Sequence, residues 1–217
     1  MLLSHNHYDH LDIATLRRLH AAHAPLMVMP LGNDAIVRAA VPKARIVCGD
    51  WHDRIPLGDS AATTLTRANH WSARSLGDRR MALWSGHYID TPAGSIWFAG
   101  DTAYGDGAIF REIRERHGAP DVALIPIGAY EPRWFMAAQH CNPAEAVRIL
   151  QDVDARHALG IHWGTFQLTD EPRDEPASGL VAALAAAGES SDRFVAARPG
   201  AVFDYAGSGA IVAAQSA

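Results

Sequence analysis

The sequence predicts a mixed α/β fold in which sheet layers are covered by helices. Three observations carry that expectation. Short apolar runs of strand length alternate with segments of helical period. Several of these runs end directly in a His or an Asp. The chain has 217 residues, 48% hydrophobic and 20% charged, which suits one domain over residues 1–217 with a sizeable core.

Asp12 can cap a helix in which Ile13, Leu16 and Leu19 recur at helical spacing while Arg17, Arg18 and His20 face outward. Residues 26–29 read as a short strand, Asn33 can cap a helix over 34–40, and 45–48 read as another strand. A strand over 61–68 leads into Asn69-His70-Trp71. Segments 80–89 and 95–99 flank Thr91-Pro92-Ala93-Gly94 as an antiparallel hairpin whose second strand ends in Gly100-Asp101-Thr102. A helix over 108–116 stops at Gly118, and 121–127 read as a buried strand. Asn142-Pro143 starts a helix reaching about residue 155, because Asn can cap and Pro fits the first helical position. A strand over 158–161 ends at His162-Trp163-Gly164. An Ala/Leu helix over 177–187 is followed by strands near 194–197 and 201–205.

Composition excludes several functions. With 19 Lys and Arg against 24 Asp and Glu the net charge is −5, and no basic run tracks a phosphate backbone, so nucleic acid is not the expected partner. No stretch approaches the roughly 18 consecutive apolar residues of a membrane span, so no transmembrane segment is expected. Cys48 and Cys141 form neither a C-x-x-C nor a disulfide framework. Twelve histidines, by contrast, point to metal chemistry.

His5-Asn6-His7-Tyr8-Asp9-His10 is the strongest local signal. In an extended segment residues two apart point the same way, so His5 and His7 can grip one ion while Asp9 and His10 turn to a second. Two metals need more donors, and His70, Asp101 and His162 each stand just past an apolar strand, where α/β folds gather reactive groups. A carboxylate can bridge two cations, which makes Asp101 the expected bridge. One metal would take His5, His7, His70 and Asp101, and the other Asp9, His10, Asp101 and His162. Imidazole and carboxylate donors suit two zinc ions, with manganese or iron as alternatives.

The order HxHxDH, isolated His, strand ending in Gly-Asp-Thr and late His resembles the metallo-β-lactamase fold superfamily of binuclear hydrolases. Ser4 to Asp12, Ile127-Gly128-Ala129-Tyr130-Glu131-Pro132-Arg133-Trp134-Phe135-Met136 and Ile161-His162-Trp163-Gly164-Thr165-Phe166 further resemble the N-acyl-phosphatidylethanolamine-hydrolysing phospholipase D family. The resemblance implies an αββα sandwich, the metal-ligand set above, and a metal-bridging hydroxide attacking phosphorus to give phosphatidic acid and an N-acyl amino alcohol. It also implicates Gln139-His140, just before the Asn142 cap, in catalysis on a substrate. His140 could orient it or protonate the leaving alkoxide, or could simply be an exposed residue before a helix. Tyr8 could hydrogen-bond the phosphate or pack against the following helix. Catalytic expectations thus fall on Asp101, Asp9, His140 and Tyr8, and substrate-binding ones on Tyr8, Gln139 and His140.

The substrate class expected is a phospholipid or other small molecule, with peripheral membrane contact and a cytoplasmic or membrane-peripheral location. The oligomeric state is left open, a homodimer included. Two other readings remain: a lactonase or other ester or amide hydrolase on the same scaffold, and an inactive metal-binding remnant. The remnant reading arises because the family's sheet begins well before this motif, so its first strands are expected to be missing ahead of Met1. His20, His23, His52, His117 and His157 read as surface or cap residues, His87 as structural, and Asp50 and Asp53 as a turn. Trp71 and Trp163 read as packing around the metal site, with an acyl groove as the other choice.

Overall fold

The computed structural model describes residues 1–206 and 210–213. In chain order the elements are α1 (Ile13–His23), β1 (Leu26–Pro30), α2 (Asp34–Ala40), β2 (Arg45–Gly49), β3 (Arg54–Pro56), β4 (Ala62–Thr66), β5 (Gly86–Thr91) and β6 (Gly94–Phe98). They continue with α3 (Ala108–His117), β7 (Val122–Pro126), α4 (Arg133–Met136), α5 (Pro143–Val153), β8 (His157–Ile161), α6 (Glu175–Ala187), β9 (Phe194–Ala196), β10 (Phe203–Ala206) and β11 (Ala210–Ala213).

Strands β3 to β9 form a seven-stranded sheet in sequence order, antiparallel from β3 to β6 and parallel from β6 to β9. A smaller parallel sheet pairs β1 with β2. Val28 of β1 packs with Ile55 and Leu65 of the large sheet, so the two sheets meet face to face. On the far side of the small sheet, Leu16, Val37 and Val41 close over Met27 and Met29. On the far side of the large sheet, Phe110, Ile113, Ile149, Leu150, Leu180 and Leu184 of α3, α5 and α6 cover Tyr88, Trp97 and Ile125. The layer order is helix, sheet, sheet, helix.

Local chemistry sets the starts of two helices. The Asp12 carboxylate accepts from the Ala14 and Thr15 N–H groups, as its spacing predicts. Asn142 and Glu145 form a reciprocal capping box with Pro143 in the first turn of α5.

Several expectations are corrected. Asn33 makes no side-chain cap on α2; its Nδ2 donates instead to the carbonyls of Pro30 and Leu83, a tertiary demand no local pattern reveals. The first hairpin strand begins at Gly86 rather than residue 80, because 80–85 is spent carrying the chain past Ser72, Leu31 and Ser4. The helix expected over 177–187 starts two residues earlier, with Pro176 in its first turn. β3, α4 and β11 are too short to show a period and are not predicted. The expected strand over 201–205 appears as β10, paired with β11 outside the large sheet. The residues before His5 also do more than their number promises. Leu2 bridges Val28 in parallel, and Leu3 and Val28 donate to Val28 O and Met1 O, so the first three residues lie along β1 as a further rung.

His87 joins this N-terminal segment to the large sheet and confirms its structural reading. Fully buried in β5, it donates from Nε2 to Leu3 O at 3.0 Å and lies 3.2 Å from Thr63 Oγ1. Burial pushes its pKa down from 6.5 to about 4. The native state therefore refuses a proton that the unfolded chain accepts, and stability present above about pH 6.5 is lost as pH falls through about 4. The His87 share is at most about 3 kcal/mol. Urea unfolding across this range should show the acid loss, and His87→Gln should flatten it; an identical slope in the variant would refute the assignment.

Candidate metal centre

The sequence-predicted donors arrive from separate strand ends and converge. His5, His7, Asp9 and His10 lie on the turn between the Met1–Leu3 rung and α1, His70 beyond β4, Asp101 beyond β6 and His162 beyond β8. His5, His7 and His70 form one group of donor atoms; Asp9, His10, Asp101 and His162 form a second; His70, Asp101 and His140 form a third. Within each group the donor atoms all lie within 4.8 Å of one another.

In the first group, His7 Nδ1 is 2.9 Å from His5 Nε2 and 3.3 Å from His70 Nε2. His70 donates its Nδ1–H to the Gln139 carbonyl at 3.0 Å, which leaves Nε2 a bare lone pair facing the other rings. His5 is oriented in the same way, with Ser4 Oγ 3.0 Å from its Nδ1. Lone pairs brought so close repel unless a proton or a cation lies between them, and a ring whose other nitrogen is held by an oxygen is the usual form of a ligating histidine. Burial keeps these imidazoles neutral: His5 and His7 lie below the ordinary range, and His70 is pushed down to about 4.

In the second group, Asp101 Oδ2 is 3.0 Å from His10 Nε2 and 3.4 Å from His162 Nε2, while Asp9 Oδ2 is 3.3 and 3.4 Å from the same nitrogens. Asp101 Oδ2 also lies 3.8 Å from both His5 Nε2 and His70 Nε2, so one carboxylate oxygen faces both groups. Burial opposes charge on Asp101, but His162 and His10 overcome it and hold the carboxyl well below its usual range. His10 shows the converse: burial lowers it, yet Asp101 and Asp9 together raise it to about 10. Asp101 Oδ1 is buried with no hydrogen-bond partner among the described residues. Converging lone pairs, a shared carboxylate and an orphaned buried oxygen all fit a pair of divalent cations.

Backbone geometry sets the groups in place. His162 has φ +60°, a left-handed conformation that turns its ring back across the strand ends. The adjacent loop must pass very close: a Cβ on Gly128 would lie 2.3 Å from His162 O.

The remaining expected residues divide. His140 is buried, its ring 5.0 Å from that of His70 and 5.4 Å from that of His162, so it joins the centre. Gln139 reaches it through the backbone carbonyl that holds His70; its side chain turns to Phe135 O. Tyr8 is 66% exposed, and its hydroxyl donates to Arg74 O while the Arg74 guanidinium covers its ring, so the side chain packs outward. Trp71 packs on the His7 ring, and Trp163 walls a cavity beside the centre. Asp50 and Asp53 form a turn through bonds to the Trp51 and Asp50 N–H groups.

Sequence reasoning missed Arg74, whose Nη1 donates to Asn6 O and Leu11 O and so ties down both ends of the histidine-rich turn. Nothing in its local pattern signals this role. The cavity was also unforeseen as such. It has a volume of ≈ 350 Å³ and is bordered by Asp9, His10 and His162, with Trp163, Phe166, Leu168 and Pro199 as apolar walls and Arg198 at its margin.

A helix-sheet-sheet-helix sandwich with two donor groups at its strand ends defines a class, and the chain belongs to the β-lactamase superfamily: the family described as "Beta-lactamase superfamily domain" matches residues 1–163. Its fold is the metallo-β-lactamase fold. It is 36% identical over 187 residues to N-acyl-phosphatidylethanolamine-hydrolyzing phospholipase D 1 of Caenorhabditis elegans, a match covering 80% of this chain and 52% of that protein. It is 35% identical over 185 residues to the mitochondrial N-acyl-phosphatidylethanolamine-hydrolyzing phospholipase D of Saccharomyces cerevisiae, covering 83% of this chain and 39% of that one. The chain thus spans about half the length or less of these relatives. Among solved structures, a metallo hydrolase from Ignicoccus hospitalis superposes with a TM-score of 0.67 at 18% identity, covering 92% of this chain and 76% of that chain.

The charges of the second group make metal uptake a proton exchange. His10, raised to about 10, carries a proton near neutrality that an entering cation must displace. Zinc titration by calorimetry in buffers of different ionisation enthalpy should show proton release, with affinity rising from about pH 6 to about pH 9. A flat affinity across that range would contradict this account of the site.

Proposed function

We propose that this chain carries a binuclear zinc hydrolase centre acting as a phosphodiesterase of phospholipase D type on N-acyl-phosphatidylethanolamine-like lipids. The observation that carries the reading is the position of Asp101 Oδ2, within 3.8 Å of ring nitrogens from both donor groups. His5, His7 and His70 would hold one cation, Asp9, His10 and His162 the other, and Asp101 would bridge them. Zinc is proposed for the imidazole and carboxylate donor set, with manganese or iron as the alternatives that metal analysis decides. When bound, such a pair supplies a nucleophile at neutral pH and neutralises charge on a phosphoryl oxygen.

The neighbouring cavity supports the amphiphilic substrate. Its Trp163, Phe166, Leu168 and Pro199 walls suit an acyl chain, and its edge at Asp9, His10 and His162 puts the polar end of a guest at the centre. The two relatives named above bear the names of N-acyl-phosphatidylethanolamine hydrolases, which favours the same substrate here. His140, pushed down to about 3 by burial, would meet the substrate as a neutral ring, suited to a hydrogen bond with the leaving oxygen. Gln139 would act through the carbonyl that fixes His70. Tyr8 is left out of this scheme, because its hydroxyl is engaged by Arg74.

Zinc-loaded protein assayed against N-acyl-phosphatidylethanolamine and a lactone panel tests the reading. Release of phosphatidic acid and an N-acylethanolamine is expected. Asp101→Ala should cut turnover more than about 100-fold, since loss of an outer partner of a metal ligand alone costs about 10- to 100-fold, and should lower bound zinc. Lactone turnover with an inert phospholipid would overturn the substrate assignment, and unchanged zinc in the variant would overturn the bridge.

A further inference from the structure

Segment 128–140 crosses the centre from one side to the other. At its start it passes so close to His162 that only glycine fits at 128, and Ala129 then takes φ +63°. At its end the Gln139 carbonyl accepts from His70, and the His140 ring lies 5.0 Å from that of His70 and 5.4 Å from that of His162. The left-handed turn leaves three consecutive N–H groups, those of Ala129, Tyr130 and Glu131, outside any sheet ladder. All three donate to one side chain, Glu171.

Glu171 is only 7% exposed. Its Oε1 accepts from Ala129 N at 2.7 Å, Tyr130 N at 3.3 Å and Thr169 Oγ1 at 2.8 Å, and its Oε2 from Glu131 N at 3.0 Å. Beyond this anchor, Arg133 carries the constraint forward: Nη1 donates to Tyr130 O and His140 O, and Nη2 to Glu145 Oε2 in the α5 cap. From Glu171 to His140 every link is a named hydrogen bond.

We propose that Glu171 is a positioning residue for the hydrolytic centre: its buried carboxylate gathers the turn at 129–131, and through Arg133 this fixes His140 and the Gln139 carbonyl against the metal-donor groups. The proposal rests on the hydrolase reading above. Its chemistry requires a carboxylate. Four donors share two oxygens, and an amide in their place would set an NH2 against a backbone N–H.

The test is a double-mutant cycle on zinc-loaded protein with bis(p-nitrophenyl) phosphate as a soluble substrate. Glu171→Gln should lower kcat by about 10- to 100-fold with zinc content retained and KM changed less than about threefold. In a His140→Ala background the same substitution should cost at least about threefold less than in the wild-type background, because the share passing through the His140 ring is gone and only that through the Gln139 carbonyl remains. An equal loss in both backgrounds, or an unchanged kcat in the folded variant, overturns the proposal. Amide hydrogen exchange provides a reading independent of turnover: Glu171→Gln should speed exchange at 129–131 and also at 139–141, whereas acceleration confined to 129–131 overturns it. If Glu171→Gln does not fold, Thr169→Val removes one of the four bonds and is read in the same way. Faster exchange at both segments in a protein that turns over no substrate supports the positioning of the segment and counts against the hydrolase reading.

Discussion

A buried carboxylate governs this structure. Asp101 is 5% exposed and sits at the end of β6, where an isolated charge would cost several kcal/mol. Four imidazoles stand within 3.8 Å of its Oδ2, and they come from the N-terminal turn, from beyond β4 and from beyond β8. Because no single element could supply them, both sheets must bring their strand ends to one edge of the sandwich. The apolar contact of Val28 with Ile55 and Leu65 joins the sheets, and His87 ties the N-terminal rung to β5. Packing and site therefore constrain each other.

Charge is divided unevenly across the centre. The first group is kept neutral by burial, the state in which imidazole has a lone pair to give. In the second, the facing carboxylates overcome burial, raising His10 to about 10 and pushing His162 above its ordinary value. Low dielectric surroundings make both choices firm, since they strengthen each ion pair and penalise each unpaired charge. The same economy explains the outer ring of partners: Ser4 on His5, the Gln139 carbonyl on His70, Arg74 on the turn between them, and Glu171 on the loop that passes His162.

Much of this was legible in the residues. The spacing His5, His7, Asp9, His10 announces donors on a short turn, and the donors at 70, 101 and 162 are marked by the apolar strands that precede them. Asp12 and Asn142 read correctly as caps because a cap acts over three residues of local chain. Asn33 carried the same local signal and was drawn away by carbonyls at 30 and 83. Tyr8, flanked by donors in sequence, was captured by Arg74, 66 residues on. Arg74 and Glu171 gave no signal at all, since their partners, Thr169 Oγ1 on Glu171 apart, are backbone atoms distant along the chain.

By itself, then, the sequence determined the layered α/β class, the candidate donors and the Asp12 and Asn142 caps, because period, residue type and short-range hydrogen bonding are properties of neighbouring residues. Only the tertiary structure decided which donors share an oxygen, that His140 faces inward and Tyr8 outward, and that an apolar cavity opens beside Asp9, His10 and His162. Those outcomes depend on how strands far apart in the chain end beside one another and on the competition for buried backbone groups, which no local pattern records.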